Sequence, residues 1–169
     1  MKVETVNDVL AMQLGDLRDA EQQLVEALPK MAQAASEPDL REAFEQHLQQ
    51  TRTHVSRLDQ VIRSFPGPVP NEHCEGMAGL IKEGEEAVQL QGDPAAKDAA
   101  LIAAAQRVEH YEIAAYGTAR TLADELDLGD ATGLLDDTLD EEAQADKLLT
   151  RIATGGMLGT GVNEKAGRR

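Results

Sequence analysis

Four long stretches of this chain carry apolar residues at three- and four-residue spacing, and no segment alternates with period two. That pattern buries one stripe of a helix and offers nothing to a sheet, so packed helices are the expected architecture. The first helix starts from a cap at Thr5 or Asn7 and reaches about Ala35, with Pro29 expected to kink or thin its last turns. Ser36-Glu37-Pro38-Asp39 reads as the start of the second, with Ser36 as the cap and the proline in the first turn. It ends at Phe65, because Pro66-Gly67-Pro68-Val69-Pro70 cannot continue it. A shorter helix is expected from about Asn71 to Gln91, a fourth from Asp93-Pro94 to Leu128-Gly129, and a fifth from a cap at Asp130 to about Ala153. Aromatic residues are only 2% of the chain against 41% hydrophobic overall, so the core must be built from Leu, Ala, Ile, Val and Met. That composition suits helices better than a β-sandwich.

The connections set the topology. The links near Ser36 and Gly129 are short, so each joins antiparallel neighbours. The 66–93 segment, with a helix of its own, is long enough to carry the chain back along the bundle. Two hairpins joined by one long crossover make the ferritin-like form of the four-helix bundle. Residues 1–153 are therefore expected as one helical domain, followed by a glycine-rich tail, 154–169, that is either mobile or a docking arm.

Charge and composition narrow the partners. With 31 acidic against 16 basic residues, the formal net charge of −15 repels phosphate backbones and argues against nucleic acid. No apolar run is long enough to span a membrane, and the N-terminus has no signal-peptide pattern. The single Cys74 excludes an intrachain disulfide and a cysteine-based zinc site. A cytoplasmic protein is the expectation.

Each long stripe is apolar at its ends and polar near its middle. The first reads Leu10, Leu14, Leu17, Glu21, Leu24, Leu28, Met31, and the second Leu40, Phe44, His47, Thr51, His54, Leu58, Val61, Phe65. The fourth reads Ile102, Ala105, Glu109, Glu112, Tyr116, Ala119, Ala123, Leu126, and the fifth Leu135, Leu139, Glu142, Asp146, Leu149, Ala153. Counting outward from each hairpin turn puts the polar groups of its two legs at one level, within a few ångströms along the axis. Glu21 to His54 and Glu109 to Glu142 are each separated by 33 positions, as a duplicated hairpin would give. Burying one unpaired carboxylate costs several kcal/mol, and neighbouring carboxylates raise each other's pKa. Protonation or a bound cation relieves this, and a mixed carboxylate–imidazole set suits iron or manganese.

The chain resembles the YciE/YciF family of ferritin-like stress proteins. The likeness lies in Leu17-Arg18-Asp19-Ala20-Glu21-Gln22-Gln23-Leu24, Ala43-Phe44-Glu45-Gln46-His47-Leu48 and Val108-Glu109-His110-Tyr111-Glu112-Ile113-Ala114-Ala115-Tyr116-Gly117. It covers about residues 6–153 and implies a dimeric bacterial bundle linked to stress. More distantly, the stripes are similar to those of rubrerythrin and other di-iron carboxylate bundles. On that pattern Glu21 is the first-helix carboxylate, His54 the second-helix imidazole and Glu109-x-x-Glu112 the next carboxylate pair. Glu142-x-x-x-Asp146 stands in place of a Glu-x-x-x-His. Thr51 stands where the pattern has a second-helix Glu, and Gln50 beside it is neutral too.

The resulting expectation is a metal site of Glu21, His54, Glu109, Glu112, Glu142 and Asp146, holding one or two ions of iron or manganese. The expected chemistry is oxidation of that metal by oxygen or peroxide, in a homodimer. The alternative is a non-catalytic, stress-associated helical dimer with a degenerate site; a storage cage is weaker, since the resemblance points to dimers. His47 is expected in packing or in support of a ligand, His110 in solvent, and Tyr116 either bonded to a ligand or simply buried. Asp19 and Glu45 fall off their stripes and read as solvated.

Overall fold

The computed structural model describes residues 2–156 and 159–167. It contains α1 (Val6–Ala34), α2 (Pro38–Ser64), α3 (Glu75–Gln89), α4 (Pro94–Glu125), α5 (Gly129–Thr154) and α6 (Val162–Gly167), with no strand among the described residues. The α1–α2 and α4–α5 hairpins pack together through α1 on α4 and α2 on α5, while α3 lies across α1 and α4. Among the described residues, no helix is long and apolar enough to cross a membrane.

Helix ends follow local chemistry, with three departures from expectation. Thr5 caps α1 through a reciprocal box with Asp8, and Asp93 caps α4 by accepting from the Ala96 N–H. At α2 the cap position is Glu37, not Ser36, and no side chain of the turn caps the helix. Buried Asp98 of α4 does that work instead, accepting the Ser36 and Glu37 N–H groups at 2.8 and 2.7 Å. At α5 the cap is Leu128, and Asp130 sits in the first turn. The crossover helix starts four residues later than expected, capped by Cys74, whose Sγ accepts from the Met77 N–H. α1 runs through Pro29 to Ala34.

Two close approaches fix the connections. A Cβ on Gly15 would lie 2.2 Å from the Pro70 carbonyl oxygen, so the crossover can rest on α1 only where the side chain is absent. Gly155 ends α5 in the left-handed region at φ 81°, and a Cβ there would strike Gly159. The chain then turns back, α6 docks on α4 and α5, and Val162 enters the core. The docking-arm reading of the tail fits this; its residues 157, 158, 168 and 169 lie outside the described residues. Asp19 is not simply solvated: it accepts from the Cys74 N–H at 2.7 Å and the Gln23 amide at 2.6 Å, tying the crossover to α1.

The core is split in two. One apolar cluster holds Leu24, Leu28, Met31, Phe44 and Leu101, with Met77 from α3; the other holds Leu10, Leu14, Leu17, Leu58, Tyr116 and Leu135. The polar interruptions of the four long helices lie between these clusters, at the centre of the bundle.

Candidate metal centre

Helical periodicity delivers the charged side chains to the interior. Glu21, Thr51, His54, Glu112 and Glu142 are fully buried, and Glu109 and His47 nearly so. Each replaces an apolar residue on an otherwise apolar stripe, so packing of the stripe's ends forces its middle inward.

Glu142 of α5 sits at the centre of the group. Its Oε1 lies 2.9 Å from His54 Nδ1 and its Oε2 lies 3.7 Å from His47 Nε2, so each carboxylate oxygen faces a different histidine. Glu21 Oε1 lies 3.3 Å from the same His54 Nδ1, and Glu109 Oε1 lies 3.5 Å from His47 Nε2. Two sets result: Glu21, His54 and Glu142, and His47, Glu109, Glu112 and Glu142, the donor atoms of each lying within 4.8 Å of one another. Donors about 2 Å from an ion are about 4 Å apart across it, so each set has room for one.

These close approaches do not satisfy the side chains. Among the described residues, ten buried side-chain nitrogen or oxygen atoms lack a hydrogen-bond partner, and nine belong to these six residues. Both oxygens of Glu112 and of Glu142 are among them, as are both ring nitrogens of His47. Buried polar atoms are seldom left unpaired, because each costs about 1–3 kcal/mol. A cation could satisfy these converging atoms together, and the residues fit one.

Protonation follows from burial and neighbours. Burial pushes the carboxyls of Glu109 and Glu112 well above the ordinary value, and neighbouring Glu142 and Glu21 push the same way. Glu21 is also raised, mainly by burial. Burial acts upward on Glu142 too, but His54 and His47 outweigh it and hold that carboxyl low. For His54, burial opposes protonation, while Glu142 and Glu21 overcome it and raise the imidazole to about 10. Burial keeps His47 below its ordinary value. Without metal, the favoured state is therefore a His54 cation beside a Glu142 anion, with protons retained on Glu109 and Glu112.

The surroundings orient this group. The Tyr116 hydroxyl donates to Glu21 Oε1 at 2.5 Å, as one of the two expectations for it held. Glu141 reaches back to His54 Nε2 at 2.7 Å and is itself gripped by Arg57 through bonds of 2.8 and 2.9 Å. That clamp directs His54 Nδ1 at Glu21 and Glu142. Neither Glu141 nor Arg57 was legible as part of the site, since one residue from Glu142 is 100° around the helix and reads as solvent-facing.

Of the six expected ligands, Glu21, His54, Glu109, Glu112 and Glu142 converge and Asp146 does not. Asp146 is 20% exposed, accepts from the Gln106 amide at 2.9 Å and lies 3.3 Å from exposed His110. Four residues beyond Glu142 is 40° past a full turn, whereas Leu149 at seven falls 20° short and stays buried. His47, expected in packing or in support of a ligand, lies with the converging residues instead, its Nε2 facing Glu109 and Glu142. Thr51 is buried and its hydroxyl donates to the His47 carbonyl of its own helix at 2.9 Å, so it brings no carboxylate charge to the cluster.

An all-α bundle of two antiparallel hairpins, crossed by a buried belt of carboxylates and imidazoles, is of the ferritin-like class. The chain belongs to the family described as a domain of unknown function, DUF892, whose pattern it matches over residues 5–166. It is 43% identical to Protein YciF of Escherichia coli over 167 residues, 98% of each chain. The crystal structure of the E. coli stress protein YciF superposes with a TM-score of 0.85 at 44% identity, covering 88% of this chain and 94% of that one. YcfI from Rhodopseudomonas palustris gives the same TM-score at 40% identity over 90% and 97%. A Xanthomonas campestris protein shares the fold alone, with a TM-score of 0.67 at 17% identity.

Proposed function

We propose that this protein is a carboxylate–histidine metalloprotein holding two ions of iron or manganese, acting on oxygen or peroxide in a stress response. The observation that carries the reading is Glu142, whose two unpartnered oxygens face His54 on one side and His47 on the other. On this reading Glu21 and His54 complete one position, and His47, Glu109 and Glu112 the other. Asp146 has no part in it. The bound ions would supply a redox couple that the side chains lack.

The chain's own residues would do the rest. Glu109 and Glu112 would give up protons as an ion enters, since a cation reverses the cost of their charge. His54 would present Nδ1 with its lone pair free, because its remaining proton sits on Nε2 and is donated in a hydrogen bond to Glu141, held by Arg57. Tyr116 would temper the charge on Glu21 through its hydroxyl. The stress connection rests on the name of the E. coli relative. A homodimer belongs to the same proposal, and gel filtration tests it.

Calorimetric titration with ferrous ion under nitrogen, and with manganous ion in air, tests the metal reading. Two ions per chain at micromolar supply are expected, with both lost in Glu142→Ala. No saturable binding would refute it. The competing reading is a degenerate site, favoured by the hydroxyl of Thr51 where the related bundles carry a carboxylate. In that case Glu109→Ala with Glu142→Ala should raise thermal stability, and metal should have no effect on either protein.

A further inference from the structure

Two cavities of different lining meet at the same pair of side chains. Between α2 and α5 lies a groove of mixed lining, in which Gln46, Gln50, Gln144 and Lys147 stand beside Phe44, Leu148 and Leu149, and which reaches His47 and Glu109. Facing α3 is a smaller pocket of about 40 Å³, walled by Leu28, Met31, Leu80, Ile81 and Val108, that also ends on His47 and Glu109. Both of those residues are buried and carry ring or carboxylate atoms without partners. The exposed Lys30–Glu85 ion pair, at 2.8 Å, joins α1 to α3 at the pocket's outer edge.

We infer that the α3-side pocket is an apolar binding site for dioxygen, separate from the groove of mixed lining between α2 and α5. The inference rests on the metal reading above and decides between the two oxidants that it leaves open. Dioxygen is apolar and loses no hydrogen bonds on entering a hydrocarbon-walled space. Hydrogen peroxide must shed hydrogen bonds to water against those same walls, at a cost the leucine, methionine and valine side chains do not repay. Size agrees: a cavity of about 150 Å³ holds benzene, whereas this one suits a ligand of two or three heavy atoms. Gly84 on α3 lines the pocket, and its absent Cβ would lie 3.7 Å from Met31 Sδ, an ordinary contact. Alanine therefore fits there, and a longer side chain would fill the space.

Xenon reads the pocket without metal or turnover. Crystals of the metal-free protein under xenon pressure should show an anomalous peak among Leu28, Met31, Leu80 and Val108, retained in Gly84→Ala and absent in Gly84→Leu. In solution, oxidation of two ferrous ions by dioxygen consumes two protons and yields two ferric ions and hydrogen peroxide. With hydrogen peroxide as oxidant, two ferrous ions and two protons yield two ferric ions and two waters. Gly84→Leu should slow the first reaction at least tenfold and leave the second within twofold. Absence of the xenon peak in the parent protein overturns the inference however Gly84→Leu folds, and so does equal slowing with both oxidants in a Gly84→Leu protein that binds ferrous ion like the parent. Calorimetry with ferrous ion separates the two failures: binding without a xenon peak defeats the pocket alone. A xenon peak without ferrous binding defeats the metal reading, and with it the pocket's service to that site.

Discussion

At the scale of single residues, the neighbour of a proposed ligand is as informative as the ligand. Glu141 accepts from His54 Nε2 and pairs with Arg57, and the same clamp aims His54 Nδ1 at Glu21 and Glu142. Arg57 and His54 both hold the Glu141 carboxyl below its ordinary value, Arg57 the more strongly. Glu141→Ala should cost about 1–3 kcal/mol in the urea unfolding of the metal-free protein, because fully buried His54 loses its Nε2 partner. It should also weaken metal binding by about 10–100-fold. Glu141→Gln, which keeps an acceptor, should recover most of the stability; an unaltered metal affinity in both variants would mean the clamp does not orient the site. Periodicity could find Glu21, His54, Glu109, Glu112 and Glu142 because each falls on its helix's buried stripe. It says less about His47. His47 and His54 are seven residues apart, about 10 Å along the axis, a spacing that does not by itself put them in one group. Their rings nevertheless approach to 6.3 Å, and the two proposed positions run along the bundle rather than across it.

Whole elements were legible from the sequence, while their ends depended on partners distant in the chain. Proline and glycine punctuation located all five longer helices. The α2 start shows the limit: Ser36 has the chemistry of a cap, yet the work falls to Asp98, 62 positions away. Asp98→Ala should therefore cost about 2–3 kcal/mol by stranding two N–H groups, whereas Ser36→Ala should stay within about 0.5 kcal/mol. Comparable losses in thermal melts of the two variants would contradict the assignment. On α3, Gly84→Ala relieves a helix-interior glycine and meets only an ordinary contact, so it should add about 0.5–1 kcal/mol. A destabilised Gly84→Ala would show that α3 cannot accept even a methyl group beside Met31. The position of Asp146 is also an element-scale effect. At 100° per residue it falls 40° to one side of Glu142, whereas Thr138 and Leu149 fall on the other side, and that places it at the edge of the buried stripe of α5.

At the scale of the whole molecule, the belt should make stability depend on pH and, if the proposed ions bind, on metal, in opposite directions. A group that binds its proton more tightly in the folded chain loses that stabilisation as pH climbs from its unfolded to its folded value. Glu21, Glu109, Glu112 and His54 are all of this kind, and the window for His54 runs from 6.5 to about 10. The opposing groups act only in acid. Glu141 and Glu142 lose their contribution as pH falls through values below 4.5, and neutral, buried His47 disfavours the fold only as pH drops below 6.5. Between pH 6.5 and 9 the metal-free protein should therefore grow steadily less stable, by a few kcal/mol, or on the order of 5–10 °C in its melting temperature. Metal should reverse the slope, because proposed ligands that must surrender protons bind more tightly as pH rises. Parallel melts from pH 6 to 9, one series with chelator and one with excess manganous ion, make the comparison. The gap between the two curves should widen with pH, and Glu109→Gln with Glu112→Gln should flatten the chelated series by removing two of the protons at issue. Curves that stay parallel would mean that these carboxylates do not exchange protons for a cation, whatever else the bundle does.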